Sequence, residues 1–443
     1  MSLPEQELHN HMEIPWHDYT KKSIGHPITE ASLSEKASVI GRTGIMLLSC
    51  GTGAWRVRSS MNTLARELGI TCTADIGLLS IEYTCIDGGE CYTQSLCLFN
   101  TSVNTSKLFR MERFVNHFAE NCTKMSGDEL HSQLDHIHEI HGFYSPAALG
   151  IAAAIACSAF TFLLGGGPIE MLCTFFGAGA GNCLRAKMNK HHLTLFLCTA
   201  VSVAFACIVY TLALTGLEHC FSVSTHHQAG YICSMLFIIP GFPFITSGID
   251  LAKLDMRSGL ERLTYAIIII AVATLAAWIL ALVLHLKPMD FLPLGLNVSQ
   301  QILFRLIASF FGVFGFSIMF NSPYRLAATA GVIGAIANTT RLELVDLAMF
   351  PPAAAAFCGA LLAGLLASLT KNSVGYPRIS LTVPSIVIMV PGLYLYRAIY
   401  NIGITSISTG AYWFTEAMLI IMALPLGLIF ARIMTDKTFR HCS

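Results

Sequence analysis

The stretch LTVPSIVIMVPGLYLYRAIY, residues 381–400, is apolar enough to cross a bilayer yet carries Pro391-Gly392 at its middle. A proline inside a helix has no N–H to donate, and its ring presses on the carbonyl four residues back, here that of Val387; the glycine after it adds backbone freedom and allows close approach. In hydrocarbon the polar groups so freed must be satisfied by protein or by a water-lined cavity, and such breaks are where transporters place substrate and ion sites. The device recurs in FIIPGFPF, residues 237–244, around Pro240-Gly241. One membrane proline reads as a structural kink. Two breaks of the same kind, flanked by Thr246, Ser247, Tyr394 and Tyr396, point to a substrate site between them.

Outward from these two runs, the whole chain has the composition of a polytopic membrane protein: 443 residues, 54% hydrophobic, only 12% charged. Ten apolar runs approach the ~20 residues that span a ~30 Å core. They cover 146–164, 168–184, 193–214, 231–249, 263–284, 301–320, 325–338, 348–369, 381–400 and 412–434. The second and seventh are short and rich in small residues (GAGAG at 177–181, AATAGVIGAIA at 327–337), which suits close helix packing. Aligning Pro240-Gly241 on Pro391-Gly392 also sets Ser258-Gly259 on Thr409-Gly410, a weak internal repeat of five runs. An odd number of spans makes the two halves cross in opposite senses. The expected fold is therefore membrane α-helical: about ten transmembrane helices as 5+5 inverted repeats, the halves at 146–285 and 286–443, behind an N-terminal soluble α+β domain.

That domain is expected at 31–145, after a flexible tail at 1–30 that mixes His, Pro and charge without periodicity. From Ser32 the apolar spacing is helical, interrupted at Gly51 and Gly53 and stopped at Gly69. Leu79, Ile81, Tyr83 and Cys85 alternate with polar residues ahead of a turn at Asp87-Gly88-Gly89, the pattern of a hairpin. Ser126-Gly-Asp-Glu129 is a capping box. Zero net charge gives no surplus for nucleic acid. The 15 cysteines lie scattered, many in apolar runs where thiols act as small hydrophobes. No apolar leader is read at the N-terminus. Lys and Arg concentrate in the connections that face inward if the N-terminus is inside (Arg185, Lys187, Lys190, Lys253, Arg257, Arg262, Arg325, Lys371, Arg378), so the N-domain and C-terminus are expected to be cytosolic.

No GxxxxGK[ST] or HExxH motif is present, which sets aside an ATPase engine or zinc hydrolase within the chain. His131, Asp135, His138 and His141 share a helix face, but a solvated linker helix is the better reading than a metal site. The His191-His192 and His226-His227 pairs read as loops. Ionisable groups inside apolar runs are costly, so Glu170, behind GGGP, and Glu416 are the proton-coupling candidates; Glu170 also fits a carboxylate favoured by a helix N-terminus. Arg305 and Arg397 lie near span ends, where long cations snorkel. Asp250 and Asp255 read as a solvated loop, and Asn321 and Asn338 as polar packing groups.

Several dispersed segments resemble the threonine/serine exporter family in its fused form, in which two halves that are separate proteins in some bacteria share one chain. GRTGIMLLSCGTGAWRVRSSMNTLARELGI, with Arg56 and Val57, is similar to the family's helical signature, and GGGPIEMLCTFFGAGAGNCLR to its second span. GFSIMFNSPYRLAATAGVIGAIANTTR and TVPSIVIMVPGLYLYRAIYNIG resemble its small C-terminal domain. Two departures concern specificity: Arg58 follows Arg-Val where the family is often acidic, and Phe242 and Leu393 follow the breaks where it has serine.

The resemblance implies a non-enzymatic secondary exporter of threonine, serine or similar small polar metabolites, driven by protons; the residues alone imply only an inverted-repeat transporter. The expected substrate residues are Pro240, Gly241, Thr246, Pro391, Gly392, Tyr394, Tyr396 and Arg397, with no metal or cofactor. Partners are the substrate, protons and the bilayer, with a homo-oligomer left open. One alternative is a dicarboxylate (succinate) exporter on the same scaffold, whose dianion would call on Arg397 or Arg185. The other is a passive channel with a cytosolic sensor domain.

Overall fold

A computed structural model of the chain describes residues 13–21, 25–140, 142–221, 225–286, 291–404 and 406–440. By its contacts the chain divides into two units, 1–141 with 250–261 and 142–249 with 262–443.

The first unit is built on α1 (Leu33–Ser49), which packs against α2 (Ala54–Glu67) and a three-stranded antiparallel sheet, β1 (Thr71–Ile76), β2 (Ser80–Asp87) and β3 (Glu90–Cys97), in that order. The alternation in β2 turns Ile81, Tyr83 and Cys85 inward. The Tyr83 hydroxyl lies 2.9 Å from the Ala37 carbonyl, and a Cβ at Gly41 would strike the tyrosine ring, so this glycine sets how closely α1 approaches the sheet. The turn at Gly88-Gly89 uses φ of +55° and +110°, which glycine adopts freely. Next come α3 (Thr105–Asn116), α4 (Phe118–Asn121) and α5 (Gly127–Glu139), the last opened by the Ser126/Glu129 capping box.

Two features of this unit differ from the sequence reading. Residues 1–12 lie outside the described residues, but within 13–30 the chain forms short 3₁₀ turns at Trp16–Tyr19 and Ile28–Glu30, with Ile28 fully buried. Asp250 and Asp255 are buried rather than solvated. Asp250 accepts from the Ala54 N–H at 3.2 Å, at the start of α2, and from the Ser258 hydroxyl at 2.9 Å; Asp255 pairs with Arg58 at 2.5 Å. A carboxylate at a helix N-terminus satisfies an orphan donor and the helix dipole together. Its acceptor lies 196 residues from the donor, beyond any local pattern.

His131 is fully buried, its Nε2 2.9 Å from the Ser38 hydroxyl and its Nδ1 3.3 Å from Arg42. Among the described residues no three His, Cys, Asp or Glu side chains converge as a metal site, and His141 lies outside them. Burial, then the Arg42 charge, drives the His131 pKa down to about 3. His17, hydrogen-bonded at 2.6 Å to Asp128 and 2.7 Å to Asp135, is raised. The signs act in separate windows. Below the ordinary histidine value of about 6.5 only the unfolded chain protonates His131, so stability falls with acidification toward pH 3. The His17 contribution is complete below that value and is lost as pH rises through its raised pKa. Melting temperature of the full chain against pH is therefore expected to peak near 6.5, and His131→Gln to flatten the acid limb; an unchanged acid limb would show that another group sets it.

The second unit contains α6 (Pro146–Leu163), α7 (Pro168–Lys190), α8 (Leu195–Phe221), a 3₁₀ stretch (Thr225–Ile238) continued by α9 (Gly241–Ala252), and α10 (Met256–Val283). Then follow α11 (Val298–Met319), α12 (Tyr324–Asp346), α13 (Pro352–Val374), α14 (Arg378–Val387) continued by α15 (Gly392–Ile404), and α16 (Ile407–Thr435). The ends of α9 and α10 at 250–261 belong to the first unit. Among the described residues six helices are long and apolar enough to cross a membrane, eight if each bent pair is one span. The chain is thus a multi-pass membrane protein. The sequence reading has ten; the difference is α7 and α12, rich in Gly and Ala and charged toward their ends (Glu170, Arg185, Lys187, Lys190; Arg325, Arg341, Glu343, Asp346).

Small residues set the packing. Gly177 and Gly181 of α7 lie on the backbone of α8, and Gly179 lies against Ala154 of α6. In α12, Gly331 lies on Phe310 of α11, and Gly334 touches Val313 of α11 and the Ser385 carbonyl of α14. The pairings α6–α7, α7–α8 and α7 with the 3₁₀ stretch are matched by α11–α12, α12–α13 and α12–α14. The first helices of the two sets, α6 and α11, pack on each other, with Gly315 against the Ala152 carbonyl and Ala156.

Candidate substrate site

Both Pro-Gly sequences end one helix and begin another. Gly241 and Gly392 each open a new helix after the chain bends by 54° and 46°. The bends meet: a Cβ on Gly241 would enter Val387 and Val390, and one on Gly392 would enter Ile239 and Leu236. Each glycine is the gap that the other break fills. Beside this crossing the hydroxyls of Tyr231 and Tyr396, both buried, are hydrogen-bonded, which satisfies two polar groups at a depth where neither could reach water.

A cavity of about 620 Å³ opens on one side of the second break. That is within the ~300–1,000 Å³ of ligand pockets. Its apolar wall is Phe160 to Leu164 at the end of α6, the 291–296 connection and Ile388 to Leu393. Its polar wall holds Gln301, Arg305, Arg341, Tyr394 and Arg397, with Trp413 beside them; among the described residues three cations and no carboxylate line the space. Arg305 is held by Glu343 at 2.8 Å and by Asp346. The Arg397 guanidinium lies 4.9 Å from the Trp413 ring centre, and Trp413 packs edge-on to Tyr394 at 5.2 Å. The Nε of Arg341 is buried with no hydrogen-bond partner among the described residues. The first turn of α15 adds the N–H groups of Leu393 and Tyr394, which have no carbonyl in their own helix to bond.

Of the residues expected at the site, Pro391, Gly392, Tyr394 and Arg397 line this cavity. Pro240 and Gly241 lie behind it at the crossing, Tyr396 is engaged with Tyr231, and the Thr246 hydroxyl donates to its own helix at Phe242 (3.0 Å). Arg341, which is not among the expected residues, lines the cavity with them. Glu170 is elsewhere, 2% exposed in the first turn of α7; one carboxylate oxygen accepts from the Gly167 N–H at 2.9 Å and the other lies 2.7 Å from Nδ1 of His227. His227, read as a loop residue, belongs to the 3₁₀ stretch, while the side chain of His226 lies outside the described residues. Glu416 is half-buried on α16.

Residues 38–285 match the family model described as "Putative threonine/serine exporter", and residues 305–434 a second described as "Threonine/Serine exporter, ThrE". The chain belongs to the threonine/serine exporter family. Both family regions lie in this one chain, the fused arrangement, and the second contains α12, α14, α15 and most of the cavity wall. Family membership makes the chain a transporter rather than an enzyme. It is similar to the "Probable succinate transporter subunit YjjP" of Escherichia coli K12, 24% identical over 243 residues that cover 53% of this chain and 91% of that protein. No solved structure matches the chain.

Proposed function

We propose that the chain is a proton-driven secondary exporter of small metabolites that carry a carboxylate, with threonine and serine as the first candidates, bound in the cavity beside Pro391-Gly392. The observation that carries this is the cavity itself: a broken helix, a free helix N-terminus and three arginines face one space of metabolite size. Pro391, Gly392, Tyr394 and Arg397 contact substrate in this reading, whereas Pro240, Gly241, Thr246 and Tyr396 form the crossing about which the halves move. With α7 and α12 counted as spans, ten helices form 5+5 inverted repeats, with the N-terminal domain and C-terminus cytosolic. The repeated pairings of α6–α8 and α11–α13 support that plan. Glu170, buried against His227, is the favoured proton carrier over the half-buried Glu416.

Three arginines lining one cavity favour a second reading, a dicarboxylate substrate. The relative's name, succinate transporter subunit, agrees. Proteoliposomes of the full chain, loaded with labelled threonine or succinate and given a pH gradient, test both. Gradient-stimulated efflux of one is expected. Flux at the protein-free rate for both would sink the proposal, and flux indifferent to the gradient would favour a channel.

A further inference from the structure

The helices α7 and α12 are each 23 residues long, and each carries the pattern Asn-x-x-Arg in the same place: Asn182-Cys-Leu-Arg185 and Asn338-Thr-Thr-Arg341. From 168 to 324, from 182 to 338 and from 185 to 341 the step is 156 in every case. The asparagines do equivalent work. Asn182 donates to the Leu149 carbonyl of α6 at 2.8 Å, and Asn338 to the Ser309 hydroxyl of α11 at 2.9 Å, each tying its helix to the first helix of its half.

The arginines are equivalent too. Each is half-buried, each has an Nε that is buried and unbonded, and neither has an ion-pair partner among the described residues. Their depth is fixed by register. Along α7 and the 3₁₀ stretch, Glu170 meets His227, Gly177 meets Ser234 and Gly181 meets Phe237, so the two run in parallel and Arg185, one turn on, falls level with Pro240-Gly241. Along α12 and α14, Gly334 meets Ser385 and Arg341 lies with Met389 around Gly359, which brings Arg341 level with Pro391-Gly392.

A guanidinium whose Nε is buried and unbonded among packed helices is costly, and a carboxylate ligand would offset that cost. We propose that Arg185 and Arg341 are symmetry-related carboxylate-binding cations, Arg341 serving the cavity described above and Arg185 its counterpart beside Pro240-Gly241 when the halves exchange conformations. This rests on the transport reading and names the residue that would receive substrate on the opposite face.

The test uses the full chain in proteoliposomes, with labelled succinate and labelled threonine as probes of homoexchange. Arg185→Gln and Arg341→Gln are each expected to raise the half-saturating concentration of the exchanged probe by roughly tenfold or more, the loss of about one charge-assisted hydrogen bond. The lysine variants should recover part of that, which a purely structural arginine would not show. In the unmutated chain, the exchanged probe is expected to protect both arginines from phenylglyoxal, read by peptide mass spectrometry; this decides the matter if a glutamine variant does not fold. Protection of Arg341 alone, or wild-type exchange by folded Arg185→Gln, overturns the equivalence and leaves the transport reading intact. Protection of neither in a chain that still exchanges a probe overturns the inference alone. Absence of any exchange overturns both.

Discussion

Glu170→Gln is expected to leave the protein folded while abolishing the response of transport to a pH gradient. The amide keeps the shape of the carboxylate: its oxygen can still accept from the Gly167 N–H, and its NH₂ can face Nδ1 of His227. Loss of the charged hydrogen bond costs about 1–3 kcal/mol, which leaves most folds standing. What the amide cannot do is take up a proton. With one proton per substrate, each pH unit of gradient supplies about 1.4 kcal/mol, enough for a tenfold substrate ratio across the membrane. In the variant that ratio should fall to one, while exchange of labelled for unlabelled substrate without a gradient continues. The paired variant Glu416→Gln is expected to retain coupling. Accumulation ratios measured at two gradients separate the cases, and a Glu170→Gln protein that still concentrates substrate tenfold per pH unit would remove Glu170 from the coupling path.

The parts of this molecule that follow local periodicity could be read from its residues: the hairpin at Asp87-Gly88-Gly89, the capping box at Ser126, the apolar helices and both Pro-Gly breaks. The parts set by contacts distant in sequence could not. Asp250 looks like a loop acid because, Ser258 apart, the groups it meets, the Ala54 N–H and a chain segment at Gly53 that leaves room for it, come from the other end of the sequence. Glu170 and His227 are 57 residues apart, so nothing local marks the histidine as more than half of a polar pair.

The candidate site shows the same division. Pro391, Gly392, Tyr394 and Arg397 follow from the break, but Arg341 enters the cavity because α12 runs parallel to α14, a fact of packing. A signal for it did exist. Superposing the breaks imposes a step of 151 residues, whereas the second helices repeat at 156, so the Asn-x-x-Arg pairs slide past each other when one offset serves the whole half. Comparison helix by helix would have aligned them. Thr246 shows the converse: a hydroxyl near a break looks available for substrate, and in apolar surroundings it donates to the carbonyl four residues back in its own helix.

The largest loss of stability is expected from Gly181→Leu. A Cβ there would sit 2.7 Å from Ala206 Cβ, 2.9 Å from the Ser202 carbonyl oxygen and 3.0 Å from the ring of Phe237. The Ser202 carbonyl belongs to the backbone of α8 and cannot turn aside, so relief requires α7 and α8 to separate. That separation would also disturb Gly177, one turn earlier, which lies on the Ala206 carbonyl of the same helix. Overpacking a tight interior costs roughly 1–3 kcal/mol, and more where the backbone blocks relaxation. In a bilayer no hydrophobic gain compensates, because lipid is as apolar as the helix surface and close packing of small residues is what holds the pair. The result should be a fall in melting temperature and a loss of monodisperse protein on gel filtration. Gly216, on the same α8, supplies the contrast: nothing lies within 4 Å of its would-be Cβ, so Gly216→Ala should raise stability by about 0.5–1 kcal/mol by removing helix-interior glycine entropy. Equal behaviour of Gly181→Leu and Gly216→Leu would mean that the α7–α8 contact does not carry the first half of the bundle.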